Sequence, residues 1–219
     1  MKKEMESFLL AAYFGDTDTD SLIDVCINKA FGDCSRKIPY LHSISTLEEM
    51  KSKTKKESFI NLKKKFRTEV SNIIKTRIGE GKKPLSIIDE VYDKANSYSG
   101  LYIDGKKFYY GLAQKWVNMS YKYLWLFDAC PIDERKLHAP IDSLIIHAIT
   151  RGVEKNKYGM SLDIDGLSNV KWSYLDDRKL YLKIQASINR SKALTFDSRI
   201  KWENVAWIEQ SKTEKSKSE

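Results

Sequence analysis

The sequence predicts an all-α fold, and three observations carry that expectation. Only 4 prolines and 10 glycines punctuate 219 residues, too few for the turns of an all-β chain. Apolar residues recur at helical spacing through most of the length. The stretch 112–127 is apolar nearly all round, as a helix in the middle of a fold must be.

The elements follow in order. Glu4 to Phe14 carries a compact apolar run that stops at Gly15, a short helix with a glycine stop. The run Asp16 to Ser21 offers several N-cap oxygens to a helix over 22–31, whose apolar stripe is Leu22, Ile23, Cys26, Ile27 and Ala30. A calcium loop would need a glycine and a closing glutamate that this acidic run lacks. Gly32 suits a C-terminal stop, and 33–45 reads as loop. Thr46-Leu-Glu-Glu49 resembles a capping box ahead of a long amphipathic helix with Phe59, Leu62, Phe66, Val70, Ile73 and Ile74 inward. Its outer side and flanks hold Lys51, Lys53, Lys55, Lys56, Lys63, Lys64, Lys65 and Arg67. Such a run is most often a solvated face, and it is also what a phosphate-tracking surface needs.

Gly79 to Pro84 is a break and the expected seam between two lobes. A helix over 85–95 follows, with Ile88, Val91, Tyr92 and Ala95 inward, then turn chemistry from Asn96 to Lys107 centred on Asp104-Gly105. In the central helix, 112–127, the few polar residues Gln114, Lys115, Asn118 and Lys122 fall on one side. Lysine is rarely buried unless paired, so a polar stripe on a buried helix points to a cleft or a buried network. Pro140-Ile141-Asp142 stands ahead of an apolar helix that closes at Arg151-Gly152, with Asp142 at the N-cap. Residues 152–177 read as irregular, 180–188 and 200–208 as helices, and 211–219 as a disordered charged tail. The domain reading is one two-lobed helical unit over 1–210.

Composition narrows function. The 38 Lys and Arg against 30 Asp and Glu leave a net charge of +8, which favours polyanions, nucleic acid first. Three scattered cysteines, Cys26, Cys34 and Cys130, fit a reducing compartment and neither a disulfide framework nor a metal cluster. The expectation is a cytoplasmic monomer with no cofactor, no metal and no membrane partner.

Gly111-Leu-Ala-Gln-Lys115, an apolar helix, and then Pro140-Ile141-Asp142 before a second apolar helix resemble the core of the helix-hairpin-helix DNA glycosylases. In that family a hairpin glycine precedes a catalytic lysine by four residues, and a later helix start supplies a catalytic aspartate. The likeness spans 110–151, about a fifth of the chain. Ala113 replaces the second hairpin glycine, the spacing from Lys115 to Asp142 is long, and no iron-sulfur cysteines follow; the compact archaeal oxoguanine DNA glycosylases are the most similar branch. The resemblance implies a two-lobed fold with a cleft between lobes, acting on double-stranded DNA that carries a damaged or modified base.

It further implies Lys115 as nucleophile and Asp142 as its electrostatic and proton-handling partner, with an AP-lyase step after base release. Gln114 and Asn118 are candidates for reading a base edge, and Trp116, among five tryptophans, for stacking on it. Lys106, Lys107, Gly111 and Ser143, near two helix starts, are the expected DNA contacts. Two other readings fit the same residues. One is a nucleic-acid-binding protein without catalysis on the same scaffold. The other is a helical interaction protein, such as a phage or host-defence factor, whose Lys115 and Asp142 form an internal ion pair.

Overall fold

A computed structural model of the protein describes residue 12 and residues 22–42, 52–150, 167–192 and 196–215. The fold is all-α. The described residues form seven α-helices and no strand: α1 (Leu22–Ser35), α2 (Lys53–Gly79), α3 (Pro84–Asn96), α4 (Tyr110–Leu126), α5 (Ser143–Thr150), α6 (Arg178–Lys192) and α7 (Arg199–Lys215). None of these helices is long and apolar enough to cross a membrane.

Helix α4 is the axis of the molecule, with 14 of its 17 residues buried. It packs against α1 and α3, while α2 lies across α1 and α3, and α7 closes on α5 and α6. Trp116, fully buried, shows why the centre is dense. Its ring meets Phe31 of α1 at 4.7 Å and Phe66 of α2 at 6.2 Å, and its indole N–H donates to the Ile27 carbonyl at 3.1 Å. Three helices are thereby locked on one side chain, with the polar handle of the indole satisfied.

Local chemistry explains the joints. Ser52 caps α2, its hydroxyl accepting the Lys55 N–H at 3.4 Å. After α2, Gly81 takes φ +67°, where a side chain would be strained, and Pro84 opens the first turn of α3 with its fixed φ. Arg77 then ties the two helices together through Glu90 at 2.8 Å. The buried side chains on both sides of this break belong to one hydrophobic cluster, which runs from Cys26 to Ala206.

Three helices run past their expected ends, among them α6, which reaches Lys192 against an expected end at 188. Helix α1 passes through Gly32 and runs to Ser35, because one further turn buries Cys34 completely. Burial of that side chain offsets the roughly 1 kcal/mol that a helical glycine costs. Helix α7 likewise continues through 211–215, part of the segment expected to be a disordered tail. The expected capping box at Thr46 to Glu49, the helix stop at Gly152 and, apart from residue 12, the helix from Glu4 to Phe14 lie outside the described residues.

Candidate functional site

Lys115 lies in the second turn of α4, and its Nζ is 2.7 Å from Asp142 Oδ2. The two carboxylate oxygens of Asp142 have different duties. Oδ1 caps α5 by accepting the Ile145 N–H at 3.0 Å, and Oδ2 is left to Lys115. Both side chains are mostly covered, at 7% and 13% exposure, so the pair is screened far less than a surface ion pair. Burial alone would raise the Asp142 carboxyl. Lys115 and the Ile145 N–H outweigh it and hold the group below the usual carboxylate range.

What brings an aspartate 27 positions away to this lysine is the residue beside the lysine. Gln114 grips the backbone of Ile141 from both sides: its Nε2 donates to the Ile141 carbonyl at 2.7 Å, and the Ile141 N–H donates to its Oε1 at 3.0 Å. Gln185 of α6 does the same to Ala139, at 2.7 and 3.1 Å. The irregular segment 139–141 thus hangs between α4 and α6 on two amide clamps, and Asp142 follows directly from it. Asn118 braces the arrangement, donating to Gln114 Oε1 at 3.1 Å and to the Tyr181 hydroxyl at 3.0 Å. Tyr181 in turn pairs with His138 Nδ1 at 2.7 Å.

The Lys115–Asp142 pair lines a solvent-open cavity of about 500 Å³. Met119 and Lys122 share its wall, one and two turns further along α4, and α7 supplies Glu203 and Trp207 from successive turns of the opposite side. Trp172 stands at the edge with Ser143, while Asp33, Arg36 and Lys37 come from the end of α1. A second buried ion pair joins the two walls, Lys122 Nζ to Glu203 Oε2 at 2.6 Å. Glu203 is almost sealed, and burial keeps its carboxyl above the usual range despite Lys122. Its Oε1 has no hydrogen-bond partner among the described residues. The cavity lining therefore includes three lysines, one arginine, three carboxylates and two tryptophans, with two of the lysines and two of the carboxylates joined in the buried pairs.

The other residues singled out in the sequence have varied places. Gln114, Asn118 and Trp116, candidates for base recognition, are fully buried and do not line the cavity. The first two are engaged in positioning 139–141, and Trp116 is in the core. Gly111, a candidate phosphate contact, is pressed against the turn Trp172–Tyr174: a Cβ there would lie 1.8 Å from the Trp172 carbonyl oxygen. Its N–H already donates to the Leu175 carbonyl at 2.7 Å, which leaves no donor for a phosphate. Lys107 pairs with Asp176 at 2.5 Å, and Lys106 sits over the Tyr174 ring at 5.7 Å. Ser143 is exposed at the cavity.

Glu203 and the clamp from Gln185 are not among the residues that the sequence singles out. A signal for Glu203 is present in its spacing from Trp207, which puts both on one face of a helix. Among the described residues no group of three or more His, Cys, Asp or Glu side chains could hold a metal ion. No protein-family model matches the chain, and neither a curated protein nor a solved structure matches it.

Proposed function

We propose that the protein is a DNA glycosylase with an associated AP-lyase step, and that Lys115 and Asp142 are its reacting pair. The observation that carries this reading is their joint presence, 2.7 Å apart, on the wall of an open cavity whose other walls include Trp172 and Trp207. A cavity of about 500 Å³ has room for a nucleotide turned out of a duplex.

In this scheme Trp172 and Trp207 offer faces to the extruded base. Lys115 gives a proton to Asp142 and attacks C1′ of the sugar with the freed lone pair. The glycosidic C1′–N bond breaks, its electrons leave with the base, and the base takes up the proton. Asp142 is the donor of that proton and, a carboxylate again once it is passed on, stabilises the positive charge on the sugar, a state that its lowered pKa favours. Ring opening then gives a Schiff base between Lys115 and C1′. Loss of a C2′ proton expels the 3′ phosphate and nicks the strand.

One rival reading also has an observation behind it. A buried ion pair that caps a helix suits a purely structural role in an interaction protein. What favours chemistry is location: the pair lines an open cavity beside a second charged pair, where a structural bridge has no need of access. The test is incubation of the protein with duplexes that carry oxidised, alkylated, deaminated or methylated bases, with mass-spectrometric detection of freed base. Release of any one base, lost in Lys115→Gln, supports the proposal. No release from any duplex, with Lys115→Gln only less stable, would assign the pair to structure.

A further inference from the structure

A second cavity, about 650 Å³, opens between the end of α1, the middle of α2 and the segment after α1. Its cations are Arg36, Lys63, Lys64 and Arg67, and among the described residues no carboxylate lines it. Arg67 donates to Asn28 Oδ1 at 3.1 Å, and none of the four forms an ion pair among the described residues. Other cations on α2 do have counter-charges. Lys65 pairs with Glu69, Lys75 with Asp24, and Arg77 with Glu80 and Glu90. Four cations gathered in one concavity with no counter-charge among the described residues repel one another, and burial lowers the affinity of Lys63 for its proton. A site of this kind is completed by an anion.

The rings in the cavity refine the class of anion. Lys63 lies over Tyr40 at 4.2 Å from the ring centroid, and Arg67 over Phe31 at 4.9 Å. Each ring face holds a cation in position, so neither offers that face to a base. The cavity is built for phosphate and not for stacking. Arg36 lines this cavity and also the one that contains Lys115 and Asp142, which makes the two adjoining parts of one surface.

We propose that the α1–α2 cavity receives the phosphodiester backbone of the DNA strand that carries the target nucleotide, with Arg36 serving the phosphates at the junction of the two cavities. This rests on the glycosylase reading for the identity of the strand; the backbone contact itself does not need catalysis.

The test is fluorescence anisotropy with a duplex containing a tetrahydrofuran abasic site, titrated at several salt concentrations. The double variant Lys63→Gln, Lys64→Gln should bind at least about tenfold more weakly and reduce the slope of log K against log salt by about 2, at roughly 0.9 for each phosphate no longer neutralised. Lys75→Gln, Lys94→Gln removes the same charge from lysines paired to Asp24 and Glu69, outside the cavity, and should leave the slope unchanged. Equal effects of the two double variants would overturn the proposal, since net charge alone would then explain them. So would a cavity that takes millimolar inorganic phosphate or a deoxynucleoside monophosphate while the first variant still binds duplex at wild-type strength. Base release at normal rates with unchanged duplex affinity in the first variant removes this inference and spares the glycosylase reading. Weakened duplex binding in a protein that releases no base does the reverse.

Discussion

Gln114 and Ile141 are joined through two hydrogen bonds, side-chain amide to backbone carbonyl at 2.7 Å and backbone N–H to side-chain oxygen at 3.0 Å, and this clamp sets where Asp142 meets Lys115. Gln114→Ala would leave both backbone groups of the fully buried Ile141 without their partners. At about 1–3 kcal/mol for an orphaned buried group, the variant should lose on the order of 2–4 kcal/mol of stability. Urea denaturation checks this. Wild-type stability would mean that the clamp is dispensable.

Gly111 admits no side chain. A Cβ at this position would lie 1.8 Å from the Trp172 carbonyl oxygen, a backbone atom that cannot rotate away. Gly111→Ala should therefore cost at least about 3 kcal/mol, the upper range for overpacking, and should displace Trp172 from the cavity edge. Thermal unfolding reports the first effect and Trp fluorescence the second.

Asp142→Asn separates charge from capping. An asparagine oxygen can still accept the Ile145 N–H, so α5 keeps its start while Lys115 loses its counter-ion. Single-turnover base release should slow by about 10²–10³, the range for removal of one preorganised electrostatic stabiliser. Asp142→Ala should add roughly 1 kcal/mol of lost capping. Equal rates in wild type and Asp142→Asn would remove Asp142 from the chemistry.

The central helix and the capping aspartate are legible in the sequence because both are local signals. An all-round apolar stretch means burial, and a carboxylate ahead of an apolar run means an N-cap. Helical spacing also puts Gln114, Lys115, Asn118 and Lys122 on one side of α4. It cannot divide them between a backbone clamp and a cavity wall, since that depends on which partner faces each turn. Lys115 and Lys122 meet carboxylates from the start of α5 and from α7, whereas Gln114 and Asn118 meet the segment 139–141 and Tyr181. Gly111 is legible as a special position but not its reason, because the atom that demands it, the Trp172 carbonyl oxygen, is distant in sequence. Glu203 is hidden for the same cause: a glutamate in a C-terminal helix reads as solvated until α4 presents Lys122 to it.

His138 makes the fold acid-sensitive. It is held against Tyr181 Oη at 2.7 Å, and burial, helped by the nearby Arg199 charge, lowers its pKa from 6.5 to about 3. The folded state therefore keeps the ring neutral while the unfolded chain takes up a proton below pH 6.5. Stability from this group is complete above that pH and declines as pH falls towards 3, with a limiting slope of about 1.4 kcal/mol per pH unit. Between pH 7 and 4.5 wild type should lose about 2–3 kcal/mol more than His138→Asn, the difference cancelling the carboxylates common to both. Parallel pH profiles of the urea midpoints would contradict this.

The most direct measurement of the central claim is borohydride trapping followed by peptide mapping. A duplex from which the protein releases a base is mixed with it in the presence of sodium borohydride, and the cross-linked protein is digested and sequenced by mass spectrometry. A stable adduct of sugar on Lys115 Nζ is expected, absent in Lys115→Gln although that variant still binds the duplex. An adduct on another lysine, or trapping that persists in Lys115→Gln, would contradict it.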